Sequence, residues 1–133
     1  MSLKALALTA IVASAALASA APVLAHHSFS MFATDKTVAL KGVVKEFEWT
    51  NPHSWLHMKV TTPEGAVQNW AFEMASPAQL SARGGLKPDT LKPGDEVTVQ
   101  MHPMKDGSHG GSYVAVKLAS GTTIGNWQAD ATP

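Results

Sequence analysis

The chain has 133 residues, with ten basic and ten acidic side chains, six histidines and no cysteine. Balanced charge without basic clusters argues against nucleic acid as a partner. The lack of cysteine excludes disulfides and thiolate metal sites, so a tight metal site must draw on His, Met, carboxylate or backbone groups.

The first segment reads as an export signal. Lys4 is a short positive region, residues 5–18 are apolar and alanine-rich, and Val23-Leu24-Ala25 satisfies the small-residue rule for cleavage. Residues 1–25 are therefore expected to be a cleaved secretory signal peptide, with a cut after Ala20 as the competing choice. A retained anchor fits less well, because the apolar run falls short of the ~20 residues of a spanning helix and is mostly Ala. The expected product is periplasmic or secreted, with no membrane span after cleavage. Its mature part is one domain with one core.

Beyond the leader the pattern is mostly β. Residues 37–49 (TVALKGVVKEFEW) form a long first strand with Gly42 inside it, where a bulge or bend is expected. Thr50-Asn51-Pro52 breaks that run. Residues 54–61 alternate, with Leu56, Met58 and Val60 on one side and His53, Trp55, His57 and Lys59 on the other. Pro63-Glu64-Gly65 is a turn, and residues 67–74 make a third strand with Trp70, Phe72 and Met74 on its apolar face. Ser76-Pro77 reads as N-cap and first residue of a short helix that stops at Gly84-Gly85. Residues 96–102 are a fourth strand, with Val97, Val99 and Met101 inward. Lys105-Asp106-Gly107-Ser108 is a turn in a glycine-rich loop, and residues 113–118 are a fifth strand with Val114, Val116 and Leu118 inward. Three strands, a helix and two strands give an all-β fold, a five-stranded OB-fold-like Greek-key barrel over residues 26–124. A small open sandwich is the fallback. Residues 125–133 read as a flexible tail in which Trp127 can pack back.

The histidines are the concentrated chemical resource. Cleavage after Ala25 would make His26 the first residue, whose amine and ring Nδ1 can close one chelate ring on a metal. His27 is a further candidate, since an amine, the intervening amide and a second-position imidazole also chelate Cu(II). A third nitrogen would come from His53, His102 or His109. Nitrogen donors with open positions suit Cu(II), and the Met104 thioether suits Cu(I). Zinc is the alternative, without an HExxH motif or cysteines to favour it. His53 and His57 stand four apart on one strand, roughly 13 Å at ~3.3 Å per residue, and cannot share an ion. The plainer reading of each ring is a solvated or carboxylate-paired side chain. Glu73, on the outer face of the next strand, is placed to orient a neighbouring imidazole. No Ser-His-Asp order, phosphate loop or nucleotide fingerprint occurs.

His26-His27-Ser28-Phe29, Trp49-Thr50-Asn51-Pro52-His53, Asn69-Trp70-Ala71-Phe72-Glu73, Leu91-Lys92-Pro93-Gly94-Asp95, and His102-Pro103 with Lys105-Asp106-Gly107 occur in that order. Together they resemble the domain of unknown function 6152 family of small exported bacterial proteins, from His26 to about Ile124. The resemblance implies export and a small β-rich fold, and draws attention to the segments holding His26, His27, His53 and His102. It carries no established activity. Met104 and His109 look like features of this chain rather than of the family.

Three functions compete. The first is a periplasmic copper carrier or buffer, with the metal ion as its partner. The second is a metal-free binding barrel for a small ligand, peptide, glycan or periplasmic partner protein. The third is a copper-dependent oxidase or monooxygenase, for which the chain has little spare sequence. An enzyme is the less favoured class.

Overall fold

The computed structural model describes residues 29–133. The leader, His26 and His27 lie outside the described residues. Strands β1 (Val38–Glu48), β2 (Trp55–Thr61) and β3 (Val67–Glu73) form an antiparallel meander. A short helix α1 (Pro77–Gln79) runs into one π turn (Leu80–Gly84), followed by β4 (Glu96–Pro103), β5 (Gly110–Leu118) and β6 (Thr123–Gly125). Strand β4 pairs with β1 and with β5, and β5 runs parallel to β3, which closes a five-stranded barrel in the order β1-β2-β3-β5-β4. With the helix between β3 and β4, this is the OB-fold-like order that the sequence predicts.

Closure depends on β1 serving two neighbours. Its first part, Val38 to Val43, pairs with β4, and its second, from Val43, pairs with β2. The bend falls where the β1–β2 register slips between Val44 and Glu46. Val44 still registers with Met58 but turns its backbone bonds to the other side, its N–H donating to the Asp95 carbonyl at 2.9 Å and its carbonyl accepting from Gly94 at 2.8 Å. Gly42 sits just before the slip for a steric reason. A Cβ there would lie 2.7 Å from the Lys59 carbonyl oxygen and 2.7 Å from Met58 Cε. The glycine thus marks a close approach of β2, and the bulge itself lies at Lys45.

The inward faces follow the alternation on β2 and β4. Leu56, Met58 and Val60 are buried on the first, and Val97, Val99 and Met101 on the second. Ser76 caps α1 in a capping box with Gln79, Pro77 opens the helix, and Gly85 closes the π turn at φ 69°. The helical segment and the loop after it add Leu80, Leu86 and Leu91 to the same core.

Strand β5 departs from the expected pattern. Gln100 pairs with Ala115 but Met101 pairs with Tyr113, so Val114 is an extra residue. Such a bulge rotates the following side chains out of simple alternation. Ala115 and Val116 are both buried, Tyr113 packs on the core, and Val114 lines a surface groove beside Leu80 and Arg83. The Tyr113 hydroxyl donates to the Ile124 carbonyl at 3.2 Å, and burial pushes its phenol pKa up.

The glycine-rich loop also contains structure that its composition conceals. β5 begins at Gly110, where Gly110 and Gly111 register with Ala71 and Phe72 of β3. A Cβ on Gly110 would stand 3.0 Å from the Ala71 carbonyl oxygen, and one on Gly111 would stand 2.7 Å from that of His102. These glycines are the seam of the barrel.

Both flanks of the barrel are tied down. Upstream, buried Phe32 bridges to Met104, and the Ala33 N–H donates to the Pro103 carbonyl at 2.8 Å. Downstream, Gln100, only 1% exposed, donates to the Gln128 carbonyl at 2.6 Å and accepts from its N–H at 2.8 Å. Thr132 bridges to Val38, and Lys117 lies 4.5 Å over the Trp127 ring, so Trp127 does pack back. Residues 125–133, read from the sequence as a tail, lie against β1, β4 and β5.

Candidate functional site

Four histidines fall among the described residues, the candidates His53, His102 and His109 together with His57, and three of the four have a ring nitrogen anchored. His53 follows a turn in which the Thr50 hydroxyl donates to the His53 carbonyl at 3.0 Å. Next to it, buried Ser54 extends the β2–β3 pairing by accepting from Met74 and donating to Ala75. The imidazole therefore emerges from a fixed backbone on the outer face, and its Nδ1 meets Glu73 Oε1 at 2.5 Å. Glu73 is only 15% exposed and His53 41%, so the carboxylate is largely enclosed while the far side of the ring reaches solvent. An imidazole held through one nitrogen by a carboxylate has a defined tautomer and orientation, as metal-ligating rings usually do.

His57 has its own carboxylate. Its Nε2 lies 2.8 Å from Glu48 Oε1 on β1, and its ring stacks on Trp55 at 6.5 Å. His53 and His57 are thus drawn to opposite neighbouring strands, in keeping with the spacing argument against a shared ion. Glu73 was legible as a partner from outer-face alternation. Glu48 was missed because finding it requires the β1–β2 register, in which Glu48 faces Trp55.

His102, at the end of β4, lies 2.7 Å through Nδ1 from the Lys36 carbonyl. A carbonyl only accepts, so Nδ1 carries the proton and the ring ties the segment before β1 to the end of β4. His109 differs from the other three. Its ring stacks on Trp70, with centroids 5.0 Å apart and planes 21° from parallel, and its carbonyl accepts from the Ala71 N–H at 3.3 Å. The stack was not foreseen, because it depends on the parallel seam that brings residue 109 beside β3.

His109 also borders a cleft of about 200 Å³ that includes Met31, Phe32, Trp55, Glu73 and Met104. Met104 and His109 therefore border the same cleft, and Glu73, the partner of His53, borders it too. The turn below is set by Asp106, whose Oδ1 accepts from the Ser108 hydroxyl at 2.7 Å and its N–H at 2.9 Å. These bonds, the hydroxyl first, hold the Asp106 pKa below the ordinary carboxylate value. Among the described residues, no three His, Asp or Glu side chains converge into a group that could hold a metal. The described part of the proposed ligand set is dispersed: His53 on one rim with Glu73, His102 at the end of β4, and His109 with Met104 around the cleft.

Among the described residues, no helix is long and apolar enough to cross a membrane. No curated protein and no solved structure matches the chain. Residues 12–114 match DUF6152, a family of unknown function, and with most of its length covered the chain belongs to that family.

Proposed function

We propose that this is an exported metal-binding protein that holds or delivers an ion, copper before zinc, without turning over a substrate. The observation that carries the reading is the His53–Glu73 pair. With Nδ1 committed to a nearly enclosed carboxylate, His53 can offer Nε2 as a pre-oriented donor on a half-exposed ring. The second support is chemical and comes from the sequence: trimming after Ala25 would give His26 an amine and a ring nitrogen for one chelate. Nitrogen donors with open positions suit Cu(II), and cysteine is absent from the chain.

The test uses the exported protein with its first residue determined by N-terminal sequencing, titrated with Cu(II). An extra Ala ahead of His26 removes the chelate, and Glu73→Gln loosens His53. Each is expected to weaken binding by about 10-fold or more. The stoichiometry shows whether His26 and His53 serve one ion or two. Equal affinity in all forms, or no binding above that of a histidine-free protein, refutes the reading.

A second reading, a metal-free binding barrel, is favoured by the half-buried Trp55 stacked on His57 on the outer face. An aromatic platform there suits a glycan or peptide. Retention on a glycan or peptide array, lost in Trp55→Ala, would support it.

A further inference from the structure

The cleft beside the barrel seam adjoins the His53 rim through Glu73 but is lined differently. Its walls are mostly apolar, with the buried Phe32 ring, Ala71 and the glycine backbone at Gly110 and Gly111. Among the residues that line it, Met31 and Met104 carry thioethers, His109 an imidazole, Ser108 a hydroxyl and Glu73 a carboxylate. We propose that the cleft is a separate site for a soft monovalent metal ion, Cu(I) by preference, bound by the sulfurs of Met31 and Met104 and a ring nitrogen of His109.

Three features support this. First, His109 is held without using its nitrogens. The Trp70 stack fixes the ring plane, and among the described residues neither nitrogen has a hydrogen-bond partner, unlike those of His53, His57 and His102. Second, the methionines are positioned by backbone bonds. The Met104 N–H donates to the Gly110 carbonyl at 3.2 Å, and the Met31 carbonyl accepts from the Lys105 N–H at 2.9 Å, so the two residues lie on neighbouring antiparallel segments. Met104 Cγ lies 3.6 Å from the position a Cβ would take on Gly110, the neighbour of His109. Third, the surroundings select the ion. Thioethers are soft, uncharged ligands that favour Cu(I), whereas a hydrated divalent ion would lose its water against mostly apolar walls with a single carboxylate beside them. Glu73 also borders the cleft and supplies one negative charge, although its carboxylate is engaged by His53.

This site shares no ligand with the Cu(II) proposal, so either can fail alone. Anaerobic competition of the leader-free protein against the Cu(I) chelator bicinchoninate measures the affinity, and Ag(I) serves as a redox-inert probe for titration and NMR. One Cu(I) or Ag(I) is expected to bind. A Met31→Leu/Met104→Leu double variant and His109→Phe, which keeps a ring on Trp70, should each weaken it at least 10-fold. The Ala-extended and His53→Gln proteins should keep full Cu(I) affinity. In the unmodified protein, Ag(I) should move the methyl resonances of Met31 and Met104 and leave those of the core residues Met58, Met74 and Met101 in place. That readout does not depend on a variant folding. Unmoved Met31 and Met104 methyls, or Cu(I) affinity lost with His53 rather than with His109, would overturn the assignment.

Discussion

Replacing Gly42 with alanine adds one methyl group at the most crowded point of the barrel. The new Cβ would lie 2.7 Å from the Lys59 carbonyl oxygen, 2.7 Å from Met58 Cε and 3.1 Å from Val60 Cγ2. Met58 Cε ends a flexible side chain and can swing away, at the expense of core packing. The carbonyl oxygen belongs to β2 and cannot. Restoring ordinary contact requires β1 and β2 to separate by about 0.7 Å, just before the slip that lets β1 serve both neighbours. Overpacking of this kind costs about 1–3 kcal/mol, and the backbone clash places Gly42→Ala in the upper half of that range. For a domain of this size the melting temperature should fall by roughly 8–15 °C. Gly84→Ala is the control. That glycine is helical, has no positive φ and nothing within 4 Å of a Cβ, so the substitution should be neutral or stabilising by up to about 1 kcal/mol. Melting both variants beside the parent decides the matter. A Gly42→Ala protein within about 0.5 kcal/mol of the parent would refute the close-approach argument.

Gln100→Ala should cost about 1–3 kcal/mol, because it leaves the Gln128 N–H and carbonyl without their buried partner. Faster amide exchange at Gln128 and Thr132 would accompany the loss, and unchanged exchange would count against the clamp. Tyr113 is the only tyrosine in the chain, and burial raises its folded pKa above the ordinary ~10. A raised pKa contributes stability that is complete below the unfolded value and is lost as pH rises from ~10 through the folded value. Tyrosinate absorbance should therefore appear together with alkaline unfolding, and Tyr113→Phe should remove that component of the pH dependence. Gly110→Ala should loosen the seam, since its Cβ would press on the Ala71 carbonyl at 3.0 Å. The expected readout is faster exchange of the Ala71 amide, which bonds to the His109 carbonyl.

Much of the barrel was legible because β2 and β4 bury one face each, so side-chain alternation carries the information. Ser76-Pro77 and Gly84-Gly85 likewise bracketed the helical segment correctly through their capping chemistry. Where the reading fell short, the missing information was register. The extra residue at Val114 cannot be seen in a run of alternating apolar residues, because nothing in β5 alone says which partner β4 will skip. Gly110 and Gly111 resemble loop glycines until the parallel neighbour is known. Phe32, four residues after Ser28, lies outside any periodic segment, and its burial follows from the bridge to Met104, which the sequence does not show. Of the candidate site, the face of His53 and its partner Glu73 followed from alternation. The His57–Glu48 and His109–Trp70 contacts required pairings between strands whose alignment the sequence does not state.

The parallel β3–β5 joint has a consequence for how the chain reaches its native state. The β2–β3 hairpin needs only the 62–66 turn to bring its strands together, while the Ala71–Gly110 contact must close everything between them, including α1 and β4. Loop-closure entropy makes that step costlier by about 2 kcal/mol. The hairpins are therefore free to assemble ahead of the long-range pairings, among which the β1–β4 ladder, from Val43–Glu96 to Val38–Met101, closes still more of the chain. Refolding kinetics of Gly110→Ala beside its stability show how much of the joint has formed when the barrel closes.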